Sequence, residues 1–279
     1  MIDTHLHLIE PDRFSYPWLM DVPQLQSSYN LHRYENESQG LGIAGSVFLE
    51  VDVAVEDQAA EAEYFCSLAE ATDNSILGVV AGCRPEFEDF QEQLARLQHP
   101  KVVGVRRILH VVEDSISQSM TFRNNVAALA DRDLSFDMCV RADQLALALE
   151  VFQAAPQTQF VLDHCGDPPQ VGEDSHQTWR DDLARCAELP NVACKVSGLG
   201  AHCGQSGDPT AALSPILNHA SAHFGWDRLL FGGDWPVCLL ADTPLTRWTE
   251  IVCALLSDQS EECRTAFFSG NAIRIYGLH

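Results

Sequence analysis

Eight short runs of apolar and β-branched residues recur along the chain, with stretches of helical spacing between them. They are MIDTHLHL (1–8), GSVFLEVD (45–52), ILGVVAGCR (76–84), VVGVRRILH (102–110), SFDMCV (135–140), QFVLDHCG (159–166), VACKVSGL (192–199) and RLLFGGDWP (228–236). Such near-continuous hydrophobicity is what a parallel strand buried on both faces requires. Residues 143–155 place Leu145, Leu149 and Phe152 on one helical face, and residues 86–97 do the same with Phe87, Phe90 and Leu94. Alternating strands and helices imply right-handed crossovers, and eight such units close most naturally into an α/β (β/α)8 TIM barrel. An open doubly wound sheet is the alternative, but it calls for a glycine-rich phosphate turn after an early strand. The glycines of SGLGAHCGQSG (197–207) come late and lack the Lys-Ser/Thr of a phosphate loop, so that stretch reads as an active-site or surface loop. The tail GNAIRIYGL reads as a final helix ending near Gly277 that covers the barrel. With no internal repeat or linker, residues 1–279 are expected to form one domain.

The length of 279 residues suits a single barrel, and 46% hydrophobic content suffices for one large core. Against 17 Lys and Arg stand 40 Asp and Glu, a formal charge of -23. That balance repels phosphate backbones and anionic membrane surfaces, so neither nucleic acid nor a membrane is an expected partner. The ten cysteines contain no C-x-x-C pair and read as reduced, buried small residues. Without an export signal or an apolar run of membrane length, a cytoplasmic location is expected.

Chemistry in such barrels collects at the carboxyl ends of strands. There the sequence offers His5 and His7, Glu50 and Asp52, Arg106, Arg107 and His110, His164, Lys195, and Asp234. Alternation puts His5 and His7 on one face; alone, such a pair reads equally as two hydrogen-bonded interior histidines. It also pairs Arg106 with His110 inside the barrel and sends Arg107 outward to a structural ion pair. On the sixth strand an inward His164 implies Asp163 against the outer helices. On the second, Phe48, Glu50 and Asp52 align, with Glu50 in an ion pair or a catalytic task. Convergent buried charges are costly unless paired or used, so convergence favours an active site. His5, His7, His164 and Asp234 have the right donors for a zinc-like ion, and the same four suit a metal-free site that hydrogen-bonds substrate.

Taken with IDTHLHLIEPDRFSYPWL, GVRRILH, FDMCVRADQL, FVLDHCGDP, CKVSGL, LLFGGDWPVC and FFSGNAIRIYGL, the pattern resembles the amidohydrolase superfamily. More narrowly it is similar to the amidohydrolase-related sugar-lactonase group of L-fuconolactonase-like and L-rhamnonolactonase-like enzymes. The resemblance implies hydrolysis of a sugar-acid lactone, with Asp234 as general base and then acid. Positive charge for the carbonyl oxygen would come from a metal on His5, His7 and His164, or from Arg106, His110 and Lys195. The catalytic set is thus Asp234, His164, Arg106 and His110, with Lys195, Glu50 and Trp18 toward substrate. Trp18 and Trp235 serve equally as a sugar-binding wall or as loop anchors, and Ser197 is a further candidate for substrate contact. The fourth and fifth strands end in RRILH and DMCVRAD, without a bridging Lys or acid and without a strand-five His, so a two-metal site is not expected. One divalent ion, Zn2+ or Mn2+, or none fits these residues. The expected partner is a small sugar lactone, with homo-oligomerisation left open. Competing readings are a metal-dependent decarboxylase of the same superfamily and a non-catalytic sugar-acid binding protein.

Overall fold

The computed structural model describes residues 1–71, 75–170, 173–203 and 208–278. Eight parallel strands run in chain order: β1 (Ile2–Leu6), β2 (Gly45–Leu49), β3 (Ile76–Gly82), β4 (Val102–Ile108), β5 (Ser135–Cys139), β6 (Phe160–Leu162), β7 (Val192–Val196) and β8 (Leu229–Phe231). Every one lies within a run marked by hydrophobicity. Two backbone bonds draw the exits of the first and last strands together: Asp234 N–H donates to His5 O and His7 N–H to Trp235 O, both at 2.8 Å. The sheet is thereby a nearly closed barrel.

Alternation divides each strand between two environments. Outward residues such as Phe48, Phe136, Phe160 and Phe231 pack under the surrounding helices. Inward, Ile2, Val47, Leu49, Val80, Val161, Ala193 and Leu230 form an apolar floor with Ala272, Ile275, Tyr276 and Leu278 of the C-terminal segment. Helix Asn271–Tyr276 is anchored at the start of β8, where Asn271 Nδ2 donates to Leu229 O (2.8 Å), and Gly277 ends it at φ 59°. Leu145, Leu149 and Phe152 are all buried on helix Leu145–Ala154, in keeping with their spacing.

Two expectations need correction. Phe87 is 48% exposed, because it lies in the turn leading from Arg84 and precedes helix Phe90–Arg96, which buries only Phe90 and Leu94. Phe48 faces outward, stacked on Phe65 at 3.8 Å between ring centroids, so it does not share a face with an inward Glu50. Part of the expected loop forms a short helix, Gly200–Cys203, and residues 204–207 lie outside the described residues. Among the described residues no helix is long and apolar enough to cross a membrane. The ten cysteines are free, and eight of them are buried.

Candidate active site

Above the apolar floor the next inward positions are charged. Lys195, wholly buried on β7, extends Nζ to 2.5 Å from Asp137 Oδ2 and 3.2 Å from Asp163 Oδ1. Arg106 on β4 donates from Nε to Asp163 Oδ2 (3.0 Å) and from Nη1 to Glu50 Oε1 (3.2 Å). Burial alone would raise the Asp163 pKa, but Lys195, His5 and Arg106 hold it well below the usual carboxylate range. These charges are tolerated because each has opposite charges in contact. Arg107 points outward to Glu86 (2.8 Å), the structural pair that alternation predicted.

Asp163 therefore does not lie against the outer helices. Strict alternation sends Val161 and Asp163 inward together, and His164 enters only because its backbone turns left-handed, at φ 54°. Room for its ring comes from Gly198, also left-handed at φ 65°, where a Cβ would lie 2.3 Å from His164 Nδ1. Ser197 Oγ sits 3.0 Å from the same nitrogen, so this serine holds His164. Burial opposes charging of His164, yet Asp234, Cys139 and Asp163 raise its pKa to about 9.

The ends of β1 and β8 complete the rim. Asp3 accepts from the backbone N–H of His5 (3.0 Å) and Gly233 (2.7 Å) and from Tyr34 Oη (2.8 Å), fixing both strand exits. A register irregularity between Asp3 and Leu6 accompanies this bracing. His5 Nε2 and His7 Nε2 lie 3.1 Å apart, and Asp234 Oδ1 is 3.5 Å and 3.7 Å from them. Burial lowers both histidine pKa values, His5 well below 6.5 and His7, helped by Arg106, to about 3. Burial lifts Asp234 to about 6, with His164 and Arg106 opposing.

These groups open into a cavity of about 370 Å³, within the usual range for small-molecule sites. His7, His164, Asp234, Arg106, Glu50 and Trp18 line it, and so does His110. His110 lies beyond the end of β4 with Nδ1 3.2 Å from Cys139 Sγ; partial enclosure and Arg106 lower its pKa. Trp18 donates from Nε1 to Val51 O (2.8 Å), which ties the first loop to the wall. Lys195 does not line the cavity: it is committed to carboxylates below it, contrary to the expected substrate contact. Trp235 is buried against Tyr29 and Tyr34 and donates to Glu37 (2.8 Å), so it anchors rather than forms the wall.

A family model described as Amidohydrolase matches residues 2–278. The chain belongs to the amidohydrolase family. This amidohydrolase is a hydrolase by that membership, and it is 30% identical to the L-fucono-1,5-lactonase of Burkholderia multivorans (strain ATCC 17616 / 249), over 99% of this chain and 96% of that protein. The 4-sulfomuconolactone hydrolase of Rhizobium radiobacter is 25% identical over 84% of this chain and 75% of its own length. Among solved structures, an amidohydrolase from Burkholderia multivorans with bound zinc superposes with a TM-score of 0.89 and 28% identity, covering 100% of this chain and 99% of that one.

The amidohydrolase's own residues fit one divalent ion. His7 Nδ1 is 3.0 Å from Leu49 O and His5 Nδ1 is 3.3 Å from Asp163 Oδ1. With a proton on each Nδ1, two Nε2 lone pairs and a carboxylate oxygen face one another without a hydrogen between them. Their separations of 3.1, 3.5 and 3.7 Å bracket the edge, roughly 3.3–3.4 Å, of a tetrahedron with ligands about 2.0–2.1 Å from zinc. His164, expected as a further ligand, belongs to a separate grouping with His5 and Asp163, whose carboxylate Arg106 and Lys195 already engage. Its ring lies beside the cluster, 4.5 Å from that of His5 between centroids. Asp137 and Asp3 went unnoticed in the sequence as supports, and Asp163 was expected on the other face. Asp137 carried a signal, a charge in the middle of an apolar strand.

Proposed function

We propose that this amidohydrolase opens a neutral sugar-acid lactone, of the L-fucono- or L-rhamnonolactone type, by adding water to the ester carbonyl. One observation carries the reading: two imidazole nitrogens and a carboxylate oxygen, from His5, His7 and Asp234, converge within 3.7 Å beside a cavity of about 370 Å³ that His7, His164 and Asp234 line. Homology to an L-fucono-1,5-lactonase supports the substrate class. Charge supports neutrality. Glu50, Asp52, Asp167 and Asp234 line the cavity, whereas Arg106 turns Nε and Nη1 to Asp163 and Glu50, and Arg84 faces Asp52 (3.2 Å). Val51, Ile108, Val111, Val237 and Trp18 offer an apolar wall that suits the methyl end of a deoxy sugar. A role in carbohydrate metabolism follows from that substrate class.

Asp234, mostly ionised at neutral pH, accepts a proton as water oxygen bonds to the carbonyl carbon. As the ring C–O bond breaks, it returns that proton to the departing oxygen, leaving a hydroxy acid. His164, protonated near neutrality and held by Ser197, provides positive charge for the developing oxyanion. Arg106 adds to this field from Nη2, the guanidinium nitrogen with no carboxylate or carbonyl partner among the described residues. A divalent ion on His5, His7 and Asp234 would supply Lewis acidity toward the carbonyl or the attacking water.

A pH-indicator assay of neutral and anionic lactones, with added Zn2+ or Mn2+ and after chelation, tests the proposal. Acid release from a neutral deoxy-sugar lactone, well above that from a sulfonated or carboxylated one, is the expected result. Absence of acid release from every sugar lactone, or carbon dioxide release from an aromatic acid instead, would overturn it.

A further inference from the structure

A continuous line of buried polar contacts runs from the C-terminal helix to the candidate metal ligand His5. Tyr276, 4% exposed at the apolar floor, donates its hydroxyl to Asp137 Oδ2 (2.7 Å). That same oxygen receives Lys195 Nζ at 2.5 Å. Lys195 Nζ then lies 3.2 Å from Asp163 Oδ1 and 3.5 Å from His5 Nδ1, while Asp163 Oδ1 is 3.3 Å from His5 Nδ1. The His5 ring stands where two tautomers compete. With the proton on Nδ1, it faces Asp163 Oδ1, a buried oxygen with no hydrogen-bond partner among the described residues, and turns an Nε2 lone pair toward His7 and Asp234. With the proton on Nε2, Nδ1 accepts from Lys195, and a hydrogen points into the ligand cluster, where it blocks a metal.

Which tautomer prevails depends on where the ammonium is held. Asp137 draws Lys195 away from His5, and Tyr276 fixes the Asp137 carboxylate; its ring also lies 5.7 Å from Nζ. We propose that Tyr276 is a positioning residue which, through Asp137 and Lys195, selects the Nδ1–H tautomer of His5 and so keeps Nε2 open to a divalent cation. The inference rests on reading His5, His7 and Asp234 as the cation-binding set of the proposed lactonase. Tyr276 itself touches neither cation nor substrate. Its helix is tethered by Asn271 to Trp226 O (2.7 Å) and Leu229 O, so the hydroxyl's height in the barrel is set by the fold.

The test compares the full-length protein with Tyr276→Phe, which keeps the ring and removes the hydroxyl. Ala272→Gly, in the same helix, controls for general loosening. Zn2+ affinity is read by competition with a chromogenic chelator, and the His5 tautomer by 15N NMR of the metal-free protein, its signals assigned with His5→Gln. Tyr276→Phe is expected to bind Zn2+ about 10-fold or more weakly, as loss of outer support to a metal-binding histidine does. Its His5 is expected to gain Nε2–H character, whereas Ala272→Gly changes neither readout. A Tyr276→Phe protein that retains wild-type tautomer and affinity within about twofold would overturn the inference, as would an equal weakening in Ala272→Gly. Wild type that binds Zn2+ yet opens no lactone would instead sink the lactonase reading, with the tautomer and affinity comparison still deciding the role of Tyr276.

Discussion

Two charged layers lie one above the other in this barrel, and they are built on opposite principles. In the lower, Lys195 and Arg106 each touch two carboxylates, and Asp137 also accepts from Tyr276. In the upper, His5, His7 and Asp234 bring two imidazole nitrogens and a carboxylate oxygen within 3.7 Å of each other. Paired opposite charges tolerate burial, whereas clustered imidazole and carboxylate groups are the donor set that a divalent ion takes. The lower layer is accordingly where the fold holds charge, and the upper is where the proposed chemistry is placed.

The contrast can be broken most severely at Asp234. Asp234→Asn keeps size and burial but removes the proton acceptor, and should lower kcat by about 10²–10⁴. A thermal melt within a few degrees of wild type, measured beside the lactone assay, would assign the loss to chemistry. Below it, Lys195→Met leaves the buried Asp137 carboxylate without its cation, and breaking such an ion pair costs about 3–5 kcal/mol, to be read from urea unfolding. Stability unchanged by that substitution would erase the distinction between the layers. Gly198→Ala comes next: its methyl would collide with His164 at a left-handed position, so the ring must shift. A displacement of this kind lowers kcat/KM by up to about 10², measured with the same indicator.

The smallest effect lies behind the wall. Glu61, 1% exposed, accepts from Val51 N–H (3.3 Å), and burial, together with Glu50 and Asp52, raises its pKa well above 4.5. The folded state therefore favours the protonated acid. Its contribution to stability is fully present below the unfolded pKa and is lost as pH rises through the folded value. Glu61→Gln should melt higher than wild type at pH 8, with the advantage vanishing near pH 4.

Strands and most rim residues were legible because burial on both faces writes itself as apolar runs, and because strand ends interrupt those runs with ionisable groups. Asp163 and His164 were not both legible. Alternation allows one of two neighbours inside, and only the left-handed turn at His164 admits the second. Phe87 misled for a related reason, since helical spacing says nothing of where the first turn begins. Lys195 carried the right charge at the right strand end, yet its carboxylate partners come from β5 and from the turn after β6, contacts that one sequence does not display.

Asp3 and Gly233, 230 residues apart, are joined by a single bond that brings the entrance and exit of the barrel wall together. Vectorial synthesis makes that separation a timing device. His5 and His7 come from the start of the chain and Asp234 from near its end, so the three side chains meet only once nearly the whole chain has been made and the wall has closed.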